Sequence, residues 1–139
     1  MQSVGNHDVI SWFDKMRLEG LMKLLRERPD EVEGLDALAE KLERARIVGP
    51  EEVSPGVVTM NSEVMLSDLD SGEKLTVKVV FPAAADPAAR HVSVLAPIGL
   101  ALLGCAEGAE VEWPAPGGKR RLRLTEVSFQ PEAAGIYNL

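Results

Sequence analysis

The hydrophobic residues of this chain follow a helical spacing up to Gly49 and a strand-like alternation after Pro50, and this change of period limits the possible folds. In residues 14–25 the apolar side chains recur at steps of three and four, the spacing of one helix face. Asp14 is the predicted N-cap of this helix. A second stripe is formed by Leu35, Leu38, Leu42 and Ala45. The sequence therefore predicts an α+β protein that begins with two short helices.

The segment that joins these helices, RPDEVEG at residues 28–34, is short enough to make the helices run back along one another. Pro29 ends the first helix, and Gly49-Pro50 ends the second. At about 1.5 Å per residue, a helix of roughly 14 residues is a rod of only about 20 Å. We therefore predict a short antiparallel helical hairpin, similar to a short coiled coil, over residues 1–49.

The rest of the chain is predicted to be a linker at residues 50–57 and a domain at residues 58–139 that consists of an antiparallel sheet with one short helix. Alternating apolar residues on both sides of Asp70-Ser71-Gly72 predict a β-hairpin. A short apolar helix begins at Pro97 and must lie against the sheet.

The last strands are predicted to form a hairpin around the turn Pro116-Gly117-Gly118. Val127 and Phe129 fall on the opposite parity from the apolar residues before them, which predicts a bulge near Thr125 to Glu126. The basic run at residues 119–123 is expected to pair across the hairpin with Glu110 and Glu112, or to meet an acidic face of a partner protein.

Composition excludes several classes of function. With 22 acidic against 15 basic residues, the net charge of −7 argues against general affinity for nucleic-acid phosphates. The single cysteine, Cys105, allows no intramolecular disulfide, which fits a reducing cytoplasm. The first residues, MQSVGNHDVISWFDK, lack the apolar segment of a signal peptide, and no run reaches membrane-spanning length. We expect a cytoplasmic protein that binds neither membranes nor specific nucleic-acid sequences.

No pattern in the chain predicts an enzyme. His7 and His91 are the only histidines, and neither has the spacing of a metal site or of a nucleophile and its base. Phosphate-binding glycine motifs are absent from the sequence. We therefore predict no catalytic residue, no metal and no cofactor.

Four motifs carry a family resemblance: PEEVSPGVVTMNSEV at residues 50–64, APIGLALLG at 96–104, WPAPGGKRRL at 113–122 and FQPEAAG at 129–135. With the short hairpin before them, they resemble the regulator of nucleoside diphosphate kinase (Rnk) family, which is related to the GreA/GreB transcription elongation factors. The resemblance implies that residues 58–139 form a Gre-type C-terminal domain with an FKBP-like fold.

In the Gre factors, the loop that opens this helix grips a coiled coil of RNA polymerase at the entrance of the secondary channel. The resemblance therefore implies that Ala96, Pro97, Ile98 and Gly99 bind the polymerase, although Ala96 and Leu100 stand where Gre factors usually have serine and arginine. We expect Ile98 to be exposed, because an apolar side chain beside a glycine at a helix entrance suits a partner surface.

Gre cleavage factors also carry acidic residues at the tip of a long coiled coil and deliver them to the metal centre of the polymerase. Here the tip of the hairpin contains Asp30, Glu31, Glu33 and Asp36. Clustered carboxylates can hold Mg²⁺. The alternative is a solvated acidic loop that places negative charge near the start of the second helix. We favour the solvated loop, because a rod of about 20 Å is much shorter than the Gre finger.

The predicted function is a non-catalytic regulator of transcription that docks near the secondary channel, competes with Gre factors without stimulating cleavage, and affects nucleoside diphosphate kinase as the family name implies. The alternative is an FKBP-like prolyl isomerase or chaperone-like binding domain. That fold lines its active pocket with aromatic side chains, whereas only 4% of this chain is aromatic. A shared fold alone does not confer the activity.

Overall fold

The structure is a computed structural model that describes residues 8–28, 30, 32–115 and 117–136. Within these residues it contains three α-helices, three short 3₁₀-helices and seven strands. The first part holds β1 (Val9–Ser11), α1 (Trp12–Arg26), α2 (Leu35–Arg44) and β2 (Arg46–Val48). The second part holds β3 (Glu63–Asp68), β4 (Lys74–Val80), β5 (His91–Ser93), α3 (Pro97–Leu102), β6 (Glu110–Ala115) and β7 (Gly118–Phe129).

Helix α1 begins earlier than predicted, and its N-cap is Ser11. The Ser11 side chain accepts a hydrogen bond of 3.0 Å from the backbone N–H of Asp14, which satisfies one of the free donors of the first turn. The prediction that Asp14 caps the helix is therefore wrong. Asp14 lies inside the first turn and is buried, where its carboxylate bonds to other parts of the chain.

The two helices form a hairpin whose ends are joined by a small parallel sheet that the sequence did not reveal. Strand β1, before α1, pairs in parallel with β2, after α2, and Ile10 lies opposite Ile47. The start of α1 therefore lies beside the end of α2, so the two helices are antiparallel. Helix α2 ends at Arg44, because the residues from Arg46 onward pair as a strand instead of continuing the helix.

The main sheet has five strands in the order β5-β4-β3-β7-β6. The predicted β-hairpin is confirmed as β3 and β4, and the last hairpin is confirmed as β6 and β7, whose turn residue Pro116 lies outside the described residues. Strand β5 pairs with β4 in parallel, which differs from the predicted all-antiparallel sheet. The parallel pair arises because residues 81–90 cross over before β5 begins.

The predicted bulge is present where β7 pairs with β3. Met65 lies opposite Glu126 while Leu66 lies opposite Leu124, so Thr125 is an extra residue in β7. A second shift leaves Ser128 as another extra residue. Bulges re-aim the side chains that follow them, and for this reason Val127 packs against the core despite its parity.

One cluster of buried side chains runs through both parts of the chain. Leu18, Leu38 and Leu42 from the hairpin share it with residues of the sheet and of α3. Val53 and Val57, within the predicted linker, are buried as well. The division into residues 1–49, 50–57 and 58–139 stays a prediction. Among the described residues, no helix combines the length and apolar character needed to cross a membrane.

Candidate functional site

The predicted polymerase-binding residues comprise Ala96, which ends a tight turn between β5 and α3 (residues 94–96, the β5–α3 turn), and the first three residues of α3, Pro97, Ile98 and Gly99. Ser93 organises this turn: its hydroxyl accepts a 3.0 Å hydrogen bond from the N–H of Leu95, and its carbonyl accepts one of 3.0 Å from the N–H of Ala96. Pro97 follows at the first position of α3, where its missing N–H leaves no donor unsatisfied. The sequence therefore sets both the turn and the start of the helix.

The turn exposes only part of the predicted site. Pro97 is exposed and Ala96 is half-buried, but Ile98 is only 2% exposed and Gly99 is buried. The expectation that Ile98 is exposed is therefore wrong. The second position of α3 faces the sheet, so the Ile98 side chain enters the common core.

The close packing of α3 on the end of β5 requires a glycine at position 99. A Cβ atom on Gly99 would overlap the carbonyl oxygen of Ser93 and lie 2.9 Å from its carbonyl carbon, closer than a Cβ can approach. The absence of a side chain thus lets the first turn of α3 rest on the end of β5. Of the four predicted residues, Ile98 and Gly99 shape the turn, and Ala96 and Pro97 are accessible to a partner.

The acidic residues of the hairpin tip that the structure describes are exposed to solvent. Asp30, Glu33 and Asp36 are exposed, while Glu31 lies outside the described residues. Asp36 pairs with Arg26 at 3.2 Å, and Asp30 lies 3.8 Å from Arg28. Within the part of the chain that the structure describes, no three or more acidic, histidine or cysteine side chains converge as metal ligands. This geometry is that of a solvated acidic loop.

The hairpin tip and the β5–α3 turn, predicted as separate sites, lie against each other. Gly34, the N-cap of α2, has a φ of 92° and places its backbone directly on the carbonyl of Leu95. A side chain at Gly34 would collide with that carbonyl oxygen. An open cleft of about 590 Å³ at the tip is lined by Leu25, Arg26, Arg28, Asp30, Val32, Glu33, Gly34, Leu35, Asp36 and Ala37. The tip is therefore seated beside the candidate docking turn.

A second contact joins α2 to the other end of α3. The Lys41 ammonium donates hydrogen bonds to the carbonyl oxygens of Leu100 at 2.6 Å and Ala101 at 3.3 Å. It also lies 3.6 Å from the carboxylate of Asp8. Carbonyls in the last turn of a helix have no partner within the helix, so a cation there satisfies them and complements the helix dipole. Sequence patterns gave no sign of this contact, because its partners lie far apart in the chain.

The basic side chains of β7 form ion pairs with carboxylates of the sheet and its turns. Arg123 pairs with Glu110 at 2.9 Å and Lys119 with Glu112 at 3.4 Å, which confirms the predicted cross-strand pairs. The remaining two cations of the run pair with the β3–β4 turn: Arg120 with Asp68 at 2.8 Å and Arg121 with Asp70 at 3.3 Å. With their charges matched by carboxylates, these residues do not form an open basic patch.

Cys105 and the two histidines are the remaining residues of the chain whose side chains are often reactive. Cys105 is half-buried and its thiol donates to the carbonyl of Ala101 at 3.1 Å. Burial raises the pKa of the Cys105 thiol, which lowers its reactivity. His91 opens β5, and His7 lies outside the described residues.

Comparison with known proteins agrees with this architecture. Residues 53–129 match the family model described as transcription elongation factor GreA/GreB, C-term. The chain is 44% identical over 105 residues to the regulator of nucleoside diphosphate kinase of Escherichia coli K12, an alignment that covers 75% of this chain and 77% of that protein. It is 37% identical over 90 residues to transcription elongation factor GreA of Desulfotalea psychrophila, covering 65% of this chain and 56% of that protein.

Among solved structures, the prokaryotic transcription elongation factor GreA/GreB from Nitrosomonas europaea has a similar fold. Its TM-score is 0.75 at 44% sequence identity, and the alignment covers 88% of this chain and 98% of that one. Both the sequence and the arrangement of helices and sheet are thus shared over most of the length. The chain belongs to the regulator of nucleoside diphosphate kinase family, whose second part is a GreA/GreB C-terminal domain.

Proposed function

We propose that this protein binds bacterial RNA polymerase near the entrance of the secondary channel, competes there with Gre factors and so alters transcription, including expression of nucleoside diphosphate kinase. The observation that carries the proposal is the β5–α3 turn, which presents Pro97 and Ala96 to solvent on a rigid support. An exposed proline on a fixed turn loses little conformational entropy on binding, which suits it to a docking surface.

Two hydrogen bonds and one buried side chain hold the turn from beneath. Ser93 closes the turn with two hydrogen bonds, and Ile98 anchors the start of α3 in the core. Binding residues are commonly carried by loops that a rigid scaffold positions. Ile98 and Gly99 therefore belong to the proposed site as its scaffold, and Ala96 and Pro97 as its contact surface.

We do not assign stimulation of transcript cleavage to the acidic tip. Helix α1 has 15 residues and α2 has 10, so the arm extends only about 22 Å at most. In addition, Gly34 rests on Leu95, which keeps the tip beside the docking turn instead of projecting from the domain. Asp30 and Asp36 are already paired with arginines. An arm of this kind can bind at a rim but does not deliver carboxylates deep into a channel.

The isomerase alternative is not favoured. Relatives of this chain carry the names of regulators and elongation factors. Within residues 58–139, Ile98 and Leu102 of α3 are buried in the common core. We propose a non-catalytic role, and the likeness of residues 58–139 to the FKBP fold stays a prediction.

A binding titration with core RNA polymerase tests the proposal. Pro97→Asp is the variant of choice, because Pro97 is exposed and an acidic residue is well tolerated in the first turn of a helix. The matched control is Pro87→Asp, since Pro87 is also an exposed proline that opens a short helical turn, but in the loop between β4 and β5. Ile98→Asp is unsuitable, because a buried carboxylate would unfold the domain.

We expect Pro97→Asp to weaken binding at least tenfold and Pro87→Asp to bind like the wild type. The wild type should also displace a labelled Gre factor from the polymerase while leaving backtracked transcripts uncut. Failure of the wild type to bind polymerase would refute the proposed function. Equal affinity of the two proline variants would remove the β5–α3 turn from it.

A further inference from the structure

The contacts between α2 and the ends of α3 indicate a role for the hairpin that does not depend on its reach. Gly34 touches Leu95 in the β5–α3 turn, before the start of α3, and Lys41 bonds to carbonyls near the other end of that helix. These two residues are seven positions apart, so they lie on one face of α2, about 10 Å from each other. Helix α3 has six residues and is about 9 Å long, so the two contacts match its two ends.

We propose that Gly34 and Lys41 are positioning residues that hold the β5–α3 turn in its docking conformation. The inference rests on the proposed function, and it assigns the hairpin to docking itself. Leu38, between the two residues on the same face, is fully buried in the common core. Helix α2 thus contacts the β5–α3 turn at Gly34 and the far end of α3 at Lys41, with a buried leucine between the two contacts.

The Gly34 contact is made by backbone atoms. Its φ of 92° lies in the left-handed region, and a Cβ there would fall 3.2 Å from the carbonyl carbon of Leu95 and still closer to the oxygen. Backbone in contact with backbone leaves no flexible side chain to absorb a displacement. A side chain at this position must therefore move either α2 or the docking turn.

The Lys41 contact is electrostatic and shielded from solvent. The Lys41 side chain is 12% exposed, and it spans Asp8 on one side and two carbonyls of α3 on the other. Hydrogen bonds to a charged donor are among the stronger ones in proteins. Their removal leaves the carbonyl of Leu100 without its ammonium donor and that of Ala101 with the weaker donor of the Cys105 thiol.

Two variants with matched controls test the role of these residues. Lys41→Met keeps the aliphatic chain but removes the donor, and its control Lys23→Met makes the same change of charge at an exposed position of α1. Gly34→Ala adds the colliding Cβ, and its control is Gly72→Ala. Gly72 has a φ of 78° with no atom within 4 Å of its Cβ position, so it shares the backbone strain without the collision.

Two measurements are needed, both well below the unfolding temperature. The first is affinity for core polymerase, expected to fall about tenfold in Lys41→Met and Gly34→Ala but not in their controls. The second is hydrogen exchange of the amides that hold the turn and α3, expected to be about tenfold faster in the same two variants. These amides belong to Leu95, Ala96, Leu100 and Leu103. Amides of the β3–β7 pair should keep their exchange rates.

The outcomes separate this inference from the proposed function. Unchanged exchange of the turn amides in both variants overturns the inference, whether or not the wild type binds polymerase. Faster exchange with unchanged affinity also overturns it, because the contacts are then only structural. A wild type that does not bind polymerase refutes the proposed function, and the exchange rates still decide whether α2 holds the turn.

Discussion

The buried carboxylate of Asp14 joins the hairpin to the sheet domain, and we predict that Asp14→Ala strongly destabilises the whole protein. One carboxylate oxygen accepts a 3.1 Å hydrogen bond from the N–H of Met60, and the other pairs with Arg17 at 2.7 Å. The Asp14 side chain is 1% exposed. The Arg17 guanidinium in turn stacks on Phe13 and Phe81, at 4.6 and 4.9 Å from the ring centroids.

The expected loss of folding free energy follows from the groups that Asp14→Ala leaves without a partner. Loss of the acceptor leaves the buried N–H of Met60 without its bond, which costs about 1–3 kcal/mol. Loss of the ion pair with Arg17, which is partly exposed, adds about 1 kcal/mol. The sum of about 3 kcal/mol should lower the melting temperature of a chain of this size by about 10 °C. Asp14→Asn keeps an acceptor for Met60 and should lose about half as much.

Thermal unfolding followed by circular dichroism measures this effect, with Asp36→Ala as the control. Asp36 is also an ion-paired aspartate in the first turn of a helix, but its side chain is 97% exposed. Any interaction with the helix dipole is therefore common to both variants. The control should shift the melting temperature by about 2 °C or less. Equal shifts for Asp14→Ala and Asp36→Ala would refute the argument from burial.

Two further predictions concern pH. The backbone N–H of Ser71 and the Arg120 guanidinium lower the pKa of Asp68, so its carboxylate stabilises the fold at neutral pH and this contribution is lost as the pH falls through the lowered pKa. Asp68→Asn should thus have a lower urea midpoint than the wild type at pH 7 and an equal one in strong acid; a constant difference would contradict this. Burial raises the pKa of Glu132, which accepts a hydrogen bond from Thr59. Glu132→Gln removes the buried charge and should therefore raise the urea midpoint at pH 7. This gain should vanish as the pH falls through the raised pKa, because the wild-type carboxyl is then neutral as well. A midpoint below that of the wild type at pH 7 would contradict the prediction.

Features that depend on neighbouring residues could be predicted from the sequence. The β3–β4 hairpin follows from alternation on both sides of one turn, and the bulge at Thr125 follows from a change of parity within a few residues. The start of α3 at Pro97 follows from the fixed φ of proline. Each of these is set by local backbone preferences, so no knowledge of distant contacts was needed.

Features that depend on distant contacts could not be predicted. The burial of Ile98 is decided by the sheet beneath α3, and an apolar residue at a helix entrance fits either a core or a partner surface. The pairing of β1 with β2 joins segments on opposite sides of the hairpin. The contact of Gly34 with Leu95 has one local indication in the sequence, which is the glycine at the N-cap of α2. Serine, threonine, aspartate and asparagine are more frequent at that position.

The packing of α2 also bears on whether the hairpin can act at a distance. Leu35, Leu38 and Leu42 are all buried in the common core. Burial of a leucine side chain stabilises by about 2 kcal/mol, so a hairpin that swung away from the domain would lose on the order of 6 kcal/mol, less whatever α1 keeps covered. Such a loss makes the detached state rarer by up to about 10⁴-fold. We therefore expect the tip to remain beside the β5–α3 turn, so that any surface that a partner meets there contains both elements.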